Sequence, residues 1–351
     1  MRRVTKLATA MIAGALVLTG CGGGGNSTSN STAKSSGSTS ASKKSDLKIG
    51  LAYDVGGRGD QSFNDAAAAG LDKAKSELGV KTQESEATQG EPDSAKEERL
   101  RTLASAGFNP VIAVGFVYSA PLVKVAKEFP NTHFAIVDDL AVAPNISNLV
   151  FAEEQGSFLV GAAAALKSPA KHVGFIGGVD VPLIHKFQAG FEAGAKTAVP
   201  GIKIDVKYLT QPPDFSGFGD PAKGKTAGQG MYDAGADVVF AAAGGSGGGV
   251  FEAAKAKGKF AIGVDSDQAK TAAPAVKDVI ITSMLKKVDV AVFDFIKSAT
   301  EGTYKAGPRV YDLKAGGVDY STTGGKVDDI KSKLDAYKAD IVSGKITVPT
   351  K

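Results

Sequence analysis

Three aspartates stand where short apolar runs end: Asp54 after Leu47-Lys-Ile-Gly-Leu-Ala-Tyr, Asp138 after His133-Phe-Ala-Ile-Val, and Asp265 after Phe260-Ala-Ile-Gly-Val. A carboxylate has two acceptor oxygens and can take both hydrogens of a vicinal diol, so residues of this kind suit sugar hydroxyls. Singly, an Asp in such a place also serves as a helix cap or turn former; three at equivalent ends make a stronger pattern. Lys286 adds a charged donor. Phe63 and Phe187 add flat apolar faces able to sandwich a planar base, the alternative being two buried helix residues. A ribose joined to a heterocycle would use both kinds of group. Gly244-Gly-Ser-Gly-Gly-Gly249 also follows an apolar run and opens a helix. A phosphate cradle would look similar, but the run lacks the Gly-Lys-Ser/Thr ending of a P-loop and does not sit at a first strand-to-helix turn. It reads either as close backbone approach to a ligand hydroxyl or as a flexible turn.

The signals for catalysis are thin. His133, His172 and His185 have no acidic partner at metal-ligand spacing and no HExxH frame, and read as surface or strand-edge residues. No Gly-x-Ser-x-Gly elbow offers a nucleophile. The adjacent pairs Asp138-Asp139 and Glu153-Glu154 read as a strand end and a solvated face. No cluster of Asp suited to a metal stands near Asp54, which argues against a nucleoside hydrolase.

The elements that must position these groups alternate short apolar runs with longer amphipathic ones, the rhythm of βαβ units and a parallel sheet. The spacing predicts strands at 47–54, 110–115 and 133–138, with helices from Phe63 to about Leu78, where Ser62 can cap, from Pro121 to Phe129, and from Glu153 to Leu166. At Lys171 the pattern restarts: strands at 172–177, 204–209, 237–242 and 260–265 alternate with helices near 185–198, 220–234 and 248–257. A helix from Lys286 to Ser298 crosses back to the first lobe, and a charged amphipathic helix spans Lys326 to Ser343. Two lobes follow: residues 47–167 with about 284–303, and 168–283 with about 304–351. They look like copies of one plan, because each aromatic, Phe63 or Phe187, follows a strand end by nine residues and precedes a glycine, Gly70 or Gly194, by seven. In open parallel sheets ligands sit beyond the carboxyl ends of the strands, which is where the three acids stand.

Length and composition agree with this plan. The 351 residues suit two compact lobes, and 43% hydrophobic residues can fill two cores. Met1 to Gly20 reads as a secretory signal, with a basic start (Arg2, Arg3, Lys6) and an apolar stretch too short to span a bilayer. Its end, Leu18-Thr-Gly-Cys21, resembles a lipobox, so Cys21 is expected to carry lipid and become the first residue. Residues 21–46 form a Gly/Ser/Thr-rich tether. Losing the three basic residues of the leader takes the net charge from +4 to near +1, too little excess for nucleic-acid binding. With Cys21 the single cysteine, disulfides and thiolate metal sites in the folded part are excluded.

The sequence resembles the basic membrane protein (PnrA-like) family, the nucleoside-binding lipoproteins of ABC importers, over nearly all of Leu47 to Pro349. The resemblance rests on Phe63-Asn64-Asp65, Phe134-Ala-Ile-Val-Asp138, Phe151-Ala-Glu-Glu-Gln-Gly-Ser-Phe-Leu-Val-Gly161 and Val173-Gly-Phe-Ile-Gly-Gly178. It extends to Phe187-Gln-Ala-Gly-Phe-Glu-Ala-Gly194, Asp220-Pro-Ala-Lys-Gly-Lys225, Ala242-Ala-Gly-Gly-Ser-Gly-Gly-Gly-Val-Phe251 and Gly263-Val-Asp265. It implies a type I periplasmic-binding-protein fold, two doubly wound α/β lobes joined by a hinge, with a purine nucleoside (guanosine, adenosine or inosine) in the cleft. It further implies that Phe63 and Phe187 stack the base, that Asn64 and Asp138 read its edge, and that Asp54, Asp265, Gly244 or Gly245 and Lys286 hold the ribose. Neighbouring Asp139 and Lys287 compete for two of these places. The long glycine-rich loop Asp54-Val-Gly-Gly-Arg-Gly-Asp60 departs from the family pattern and bears on the choice of base. The implied partners are an ABC permease and ATPase and the membrane through lipid on Cys21, with a monomeric, non-catalytic protein facing outward and no cofactor. A sugar-binding lipoprotein and a membrane-anchored sensor or adhesin are the alternatives.

Overall fold

The structure is a computed structural model that describes residues 46–351; the expected leader, most of the tether and Cys21 lie outside the described residues. The first half of the fold runs β1 (Lys48–Ala52), α1 (Phe63–Leu78), β2 (Lys81–Ser85), α2 (Asp93–Ser105), β3 (Val111–Val114), α3 (Ser119–Glu128), β4 (Phe134–Val137) and β5 (Ile146–Phe151). The second runs α4 (Glu153–Leu166), β6 (His172–Val179), α5 (Pro182–Ala198), β7 (Lys203–Thr210), α6 (Pro221–Asp233), β8 (Val238–Ala242), α7 (Gly247–Lys257), β9 (Phe260–Asp265), the short α8 (Gln268–Thr271) and β10 (Ile280–Lys286). The chain ends with α9 (Val288–Thr300), β11 (Gly307–Tyr311), β12 (Val318–Tyr320) and α10 (Lys331–Val342).

Two six-stranded sheets result, in the orders β11-β5-β4-β3-β1-β2 and β12-β10-β9-β8-β6-β7. Among the described residues, all pairings are parallel except β10 with β12. The central strands, such as Val111-Ile-Ala-Val114 and Phe134-Ala-Ile-Val137, are apolar on both faces because helices cover both sides of each sheet. Each sheet is a doubly wound 2-1-3-4-5 arrangement, whose ligand crevice lies where the strand order reverses.

The lobes exchange segments, and here the structure divides the chain differently from the sequence reading. Glu153–Leu166, assigned above to the first lobe, packs on α5 of the second. A Cβ on Gly194 would sit 1.9 Å from the Phe158 carbonyl oxygen, and one on Gly161 would sit 2.1 Å from that of Phe191, so only glycines let the two helices touch backbone to backbone. Residues 280–286 form a strand of the second sheet, so Lys286 ends β10 instead of opening a helix. The following helix, α9, does cross back to the first lobe, resting on α1 where a Cβ on Gly70 would meet the Asp289 carbonyl oxygen at 2.4 Å. Gly307–Tyr311, placed above in the second lobe, pairs with β5 in the first sheet. The chain therefore passes between the lobes three times, at 151–153, 286–288 and 311–318. The glycine spacing shared by the two halves marks the same packing device in each lobe.

Candidate functional site

The carboxyl ends of the strands open on one cavity between the sheets, holding about 560 Å³ free of protein atoms, open solvent at its mouth included. Its centre is the Lys286 ammonium at the end of β10, 3% exposed. It is ion-paired with Asp138 Oδ2 at the end of β4 in the opposite lobe and lies 3.5 Å from Asp265 Oδ1. The centroids of the Phe63, Phe187 and Phe151 rings lie 4.6, 5.5 and 5.6 Å from it, within cation–π range.

Asp138 and Asp265 occupy matching positions, each at the end of the fourth strand of its sheet. Both adopt left-handed backbone conformations, with φ of 64° and 61°. That region costs a non-glycine residue on the order of 1–3 kcal/mol and persists only where the surroundings impose it. In each carboxylate one oxygen, Oδ1, is buried without a hydrogen-bond donor. Buried acceptors are ordinarily satisfied, so these two residues of the cavity lining each keep unused acceptor capacity.

Asp54 follows β1. Its Oδ1 accepts from Val55 N at 2.6 Å, and its other oxygen lies against Gly115, where a Cβ would approach to 2.3 Å. Burial pushes the Asp54 carboxyl up to about 7, only partly opposed by the Val55 N–H and by Lys96. Around Lys286, burial works against the ammonium, but Asp138, Asp265 and Glu153 reverse this and keep it charged. Burial also raises Asp138, against the opposing pull of Lys286. Glu153 is pushed up to about 7, first by burial and then by Asp138. One ammonium cannot neutralise every buried acid around it.

Of the residues expected from the sequence, Asp54, Phe63, Asn64, Asp138, Phe187, Gly244, Asp265 and Lys286 all line this cavity. Gly245 does not line it; it lies against Phe218 and Asp60. Asn64 has its polar atoms engaged in its own loop: Oδ1 accepts from Asp54 N at 3.1 Å, and Nδ2 donates to Val55 O at 3.3 Å and Asp60 Oδ2 at 3.1 Å. Phe63 opens α1, but Phe187 lies one turn into α5, so the two rings match less closely than their spacing implied. Within the glycine run, Gly244 takes φ of 53° at the cavity, whereas Gly249 serves helix packing, a Cβ there meeting the Pro221 carbonyl oxygen at 1.8 Å. Asp139 is turned away and accepts from Ser119 Oγ at 2.7 Å, and half-buried Lys287 does not line the cavity.

Sequence reasoning missed several neighbours. Glu153, read as part of a solvated face, is 1% exposed and bonded to Lys186 Nζ at 3.1 Å. Away from the site, at the amino end of β6, His172, read as a surface or strand-edge residue, is buried, with Nε2 2.7 Å from Asp205 Oδ2 on β7. Phe116, Phe218 and Asp60 complete the wall; Phe116 from the first lobe meets Phe215 and Phe218 of the second edge-on at 5.8 and 6.4 Å. Asp60 is the N-terminal acceptor of α1, and its place three residues before Phe63 was the available signal.

Two parallel-sheet lobes holding a polar, aromatic-walled cleft at their strand ends define a solute-binding protein of the ABC-transporter class. The chain is similar to an ABC transporter solute-binding protein from Aeropyrum pernix K1, with TM-score 0.74 and 28% identity over 87% of this chain and 94% of that one. Residues 47–351 match the profile of the family described as ABC transporter substrate-binding protein PnrA-like, and the chain belongs to that family. Its curated relatives include the CD4+ T-cell-stimulating antigen of Listeria monocytogenes, 33% identical over 100% of this chain and 99% of the relative. Another is the ABC transporter nucleoside-binding protein BmpA of Lactococcus lactis, 32% identical with the same coverage.

Proposed function

We propose that this substrate-binding protein takes purine nucleosides, guanosine, adenosine or inosine, in the interlobe cleft and passes them to an ABC permease and its ATPase. The observation that carries this reading is a pair of buried carboxylate oxygens without hydrogen bonds, Asp138 Oδ1 and Asp265 Oδ1, on the two acids that are ion-paired with Lys286, whose ammonium lies near the rings of Phe63 and Phe187. A nucleoside has what each element asks for: a flat base for the rings, an N–H edge for Asp138, and a diol for Asp54, Asp265 and the main chain at Gly244. The name of the Lactococcus relative, a nucleoside-binding protein, supports the same reading. Stacking of about 0.5–1.5 kcal/mol per ring plus several charge-assisted hydrogen bonds makes submicromolar binding reasonable. In this reading the protein is a non-catalytic monomer held outside the membrane by lipid on Cys21. Among the described residues no helix is long and apolar enough to cross a membrane.

The test is calorimetric titration of a Ser45–Lys351 fragment, unfolded and refolded to strip carried-over ligand, against purine and pyrimidine nucleosides, free bases and pentoses. Tight one-to-one binding of a purine nucleoside, with base and ribose weak and inosine recovered intact, is the expected result. Binding of a pentose alone would make it a sugar receptor, and silence across the panel would favour a sensor or adhesin.

A further inference from the structure

Ser62 stands directly before α1, where a serine hydroxyl ordinarily accepts from the first backbone N–H groups of the helix. Here it makes no such bond. Asp60 takes that duty, accepting from Ser62 N at 2.9 Å, Asn64 N at 2.8 Å and Asp65 N at 3.1 Å. The freed hydroxyl, fully buried, reaches into the other lobe: Ser62 Oγ lies 2.8 Å from Asp265 Oδ2 and 3.2 Å from the Val264 carbonyl oxygen. With one proton to give, it donates to the carboxylate, the shorter and charged acceptor.

The main chain around it is gripped from the same side. Ser266 Oγ donates to Ser62 O at 2.9 Å, while Gln268 Nε2 and Thr271 Oγ1 donate to Gln61 O at 3.1 and 3.3 Å. Gln61 itself takes φ of 55°, a left-handed conformation held by these contacts. Asp265 is thus left with one oxygen, Oδ1, which has no hydrogen bond and lies 3.5 Å from the Lys286 ammonium.

We propose that Ser62 is a positioning residue: it orients the Asp265 carboxylate toward the ligand, and does so only when the lobes are closed. The proposal rests on the reading of Asp265 as a ligand-binding acid. Ser62 belongs to the first lobe and Asp265 to the second, so opening the cleft removes the donor that fixes the carboxylate. A ligand that needs Asp265 Oδ1 then selects the closed state, and closure completes the acceptor it needs.

The test uses the full chain with Cys21→Ser, titrated with guanosine, adenosine and inosine. Loss of a hydrogen bond to a charged group should weaken binding about tenfold or more in Ser62→Ala. Because Ser62 acts through Asp265, Ser62→Ala should have little further effect in an Asp265→Ala background, a pairwise coupling that an independent packing role would not produce. Ser266→Ala, which loosens the same grip without touching Asp265, should keep its full effect in that background. Closure is read separately, by spin-label distances between Glu77→Cys and Ala256→Cys, with Ser62→Ala expected to shift the population toward longer distances. Unchanged affinity with unchanged distances, or a Ser62→Ala effect undiminished by Asp265→Ala, overturns the proposal. If no nucleoside binds the parent protein, the nucleoside reading fails and the distances decide: a longer-distance shift in Ser62→Ala upholds the Ser62–Asp265 bond as a contact of the closed state, and an unchanged distribution overturns it.

Discussion

Lys286 and Asp138 stand on different sheets, at the ends of β10 and β4, and yet form one buried ion pair across the cleft. Their side chains are 3% and 4% exposed, so water screens neither. The pair joins the two lobes within the cavity, so in the reading proposed above closure and ligand contact are parts of one event.

Lys286→Met should therefore harm both stability and binding. It leaves Asp138, Asp265 and Glu153 buried without their shared cation, and breaking a buried pair from one side costs on the order of 3–5 kcal/mol. Removing the second charge as well, in Lys286→Met with Asp138→Asn, should restore much of that stability but not nucleoside affinity. Thermal unfolding and calorimetry on the three proteins check this. A single variant as stable as the parent would show that the pair does not hold the lobes.

The pH dependence follows from Asp54 and Glu153, both pushed up to about 7 by burial in the fold. Unfolded, each titrates near 4. Between those values the folded state holds protons that the unfolded state has lost, so the stability these two groups contribute is fully present below about pH 4 and is lost as pH rises through 7, opposite in sign to paired acids such as Glu91 and Asp237, whose pKa is lowered. Nucleoside affinity should run the other way, because Asp54 accepts a ribose hydroxyl best as a carboxylate; a rise of up to about tenfold from pH 6 to pH 8 is expected. Asp54→Asn should flatten that affinity profile and soften the loss of stability. A pH-independent affinity in the parent protein would remove Asp54 from the ribose site.

Gly194 tests the exchange of helices between lobes. Its α-hydrogen faces the backbone of α4, and a methyl group placed there would sit 1.9 Å from the Phe158 carbonyl oxygen. Gly194→Ala must push α4 and α5 apart, at a cost of about 1–3 kcal/mol or more, visible as a lower unfolding midpoint. Gly230→Ala is the control, since nothing lies within 4 Å of a Cβ there. Equal midpoints for the two variants would mean that the helices are not in backbone contact.

These examples show which features were legible in the sequence. The apolar strands β1, β3, β4, β6, β8 and β9 announce themselves, because a strand buried on both faces has no polar choice to make. The acids at their ends were readable for the same reason. The edge strand β7 was legible too, but two elements at the edge of the first lobe were not: β2, Lys-Thr-Gln-Glu-Ser, contains no apolar residue and is half-exposed, and α2 buries only Leu100, Leu103 and Ala104. β10 was hidden because Thr282 and Ser283 interrupt its apolar run, although both are fully buried and bonded to residues far along the chain. Glu153 and Ser62 looked like a surface acid and a helix cap, since the partners that redefine them are remote in sequence: Lys186 on the neighbouring helix α5, and Asp265 in the other lobe.

Arg58 is the last case, a charged residue in the loop leading to the site that the sequence alone could not aim. The structure turns it outward: Nε bonds Glu84 Oε2 at 2.6 Å and Nη2 bonds Asp72 Oδ1 at 3.0 Å, with the side chain 41% exposed. Asp72 lies on α1 and Glu84 on β2, so the guanidinium ties the loop to these two elements of the first lobe and does not line the cavity. Exposed pairs of this kind contribute about 0–1 kcal/mol. Arg58→Ala should accordingly leave nucleoside affinity within about twofold and lower stability only slightly, whereas Asp265→Ala weakens binding more than tenfold. A tenfold loss in Arg58→Ala would mean that the loop moves to bring this cation onto the ligand, and base preference would then have to be sought in the loop and not in Asp138.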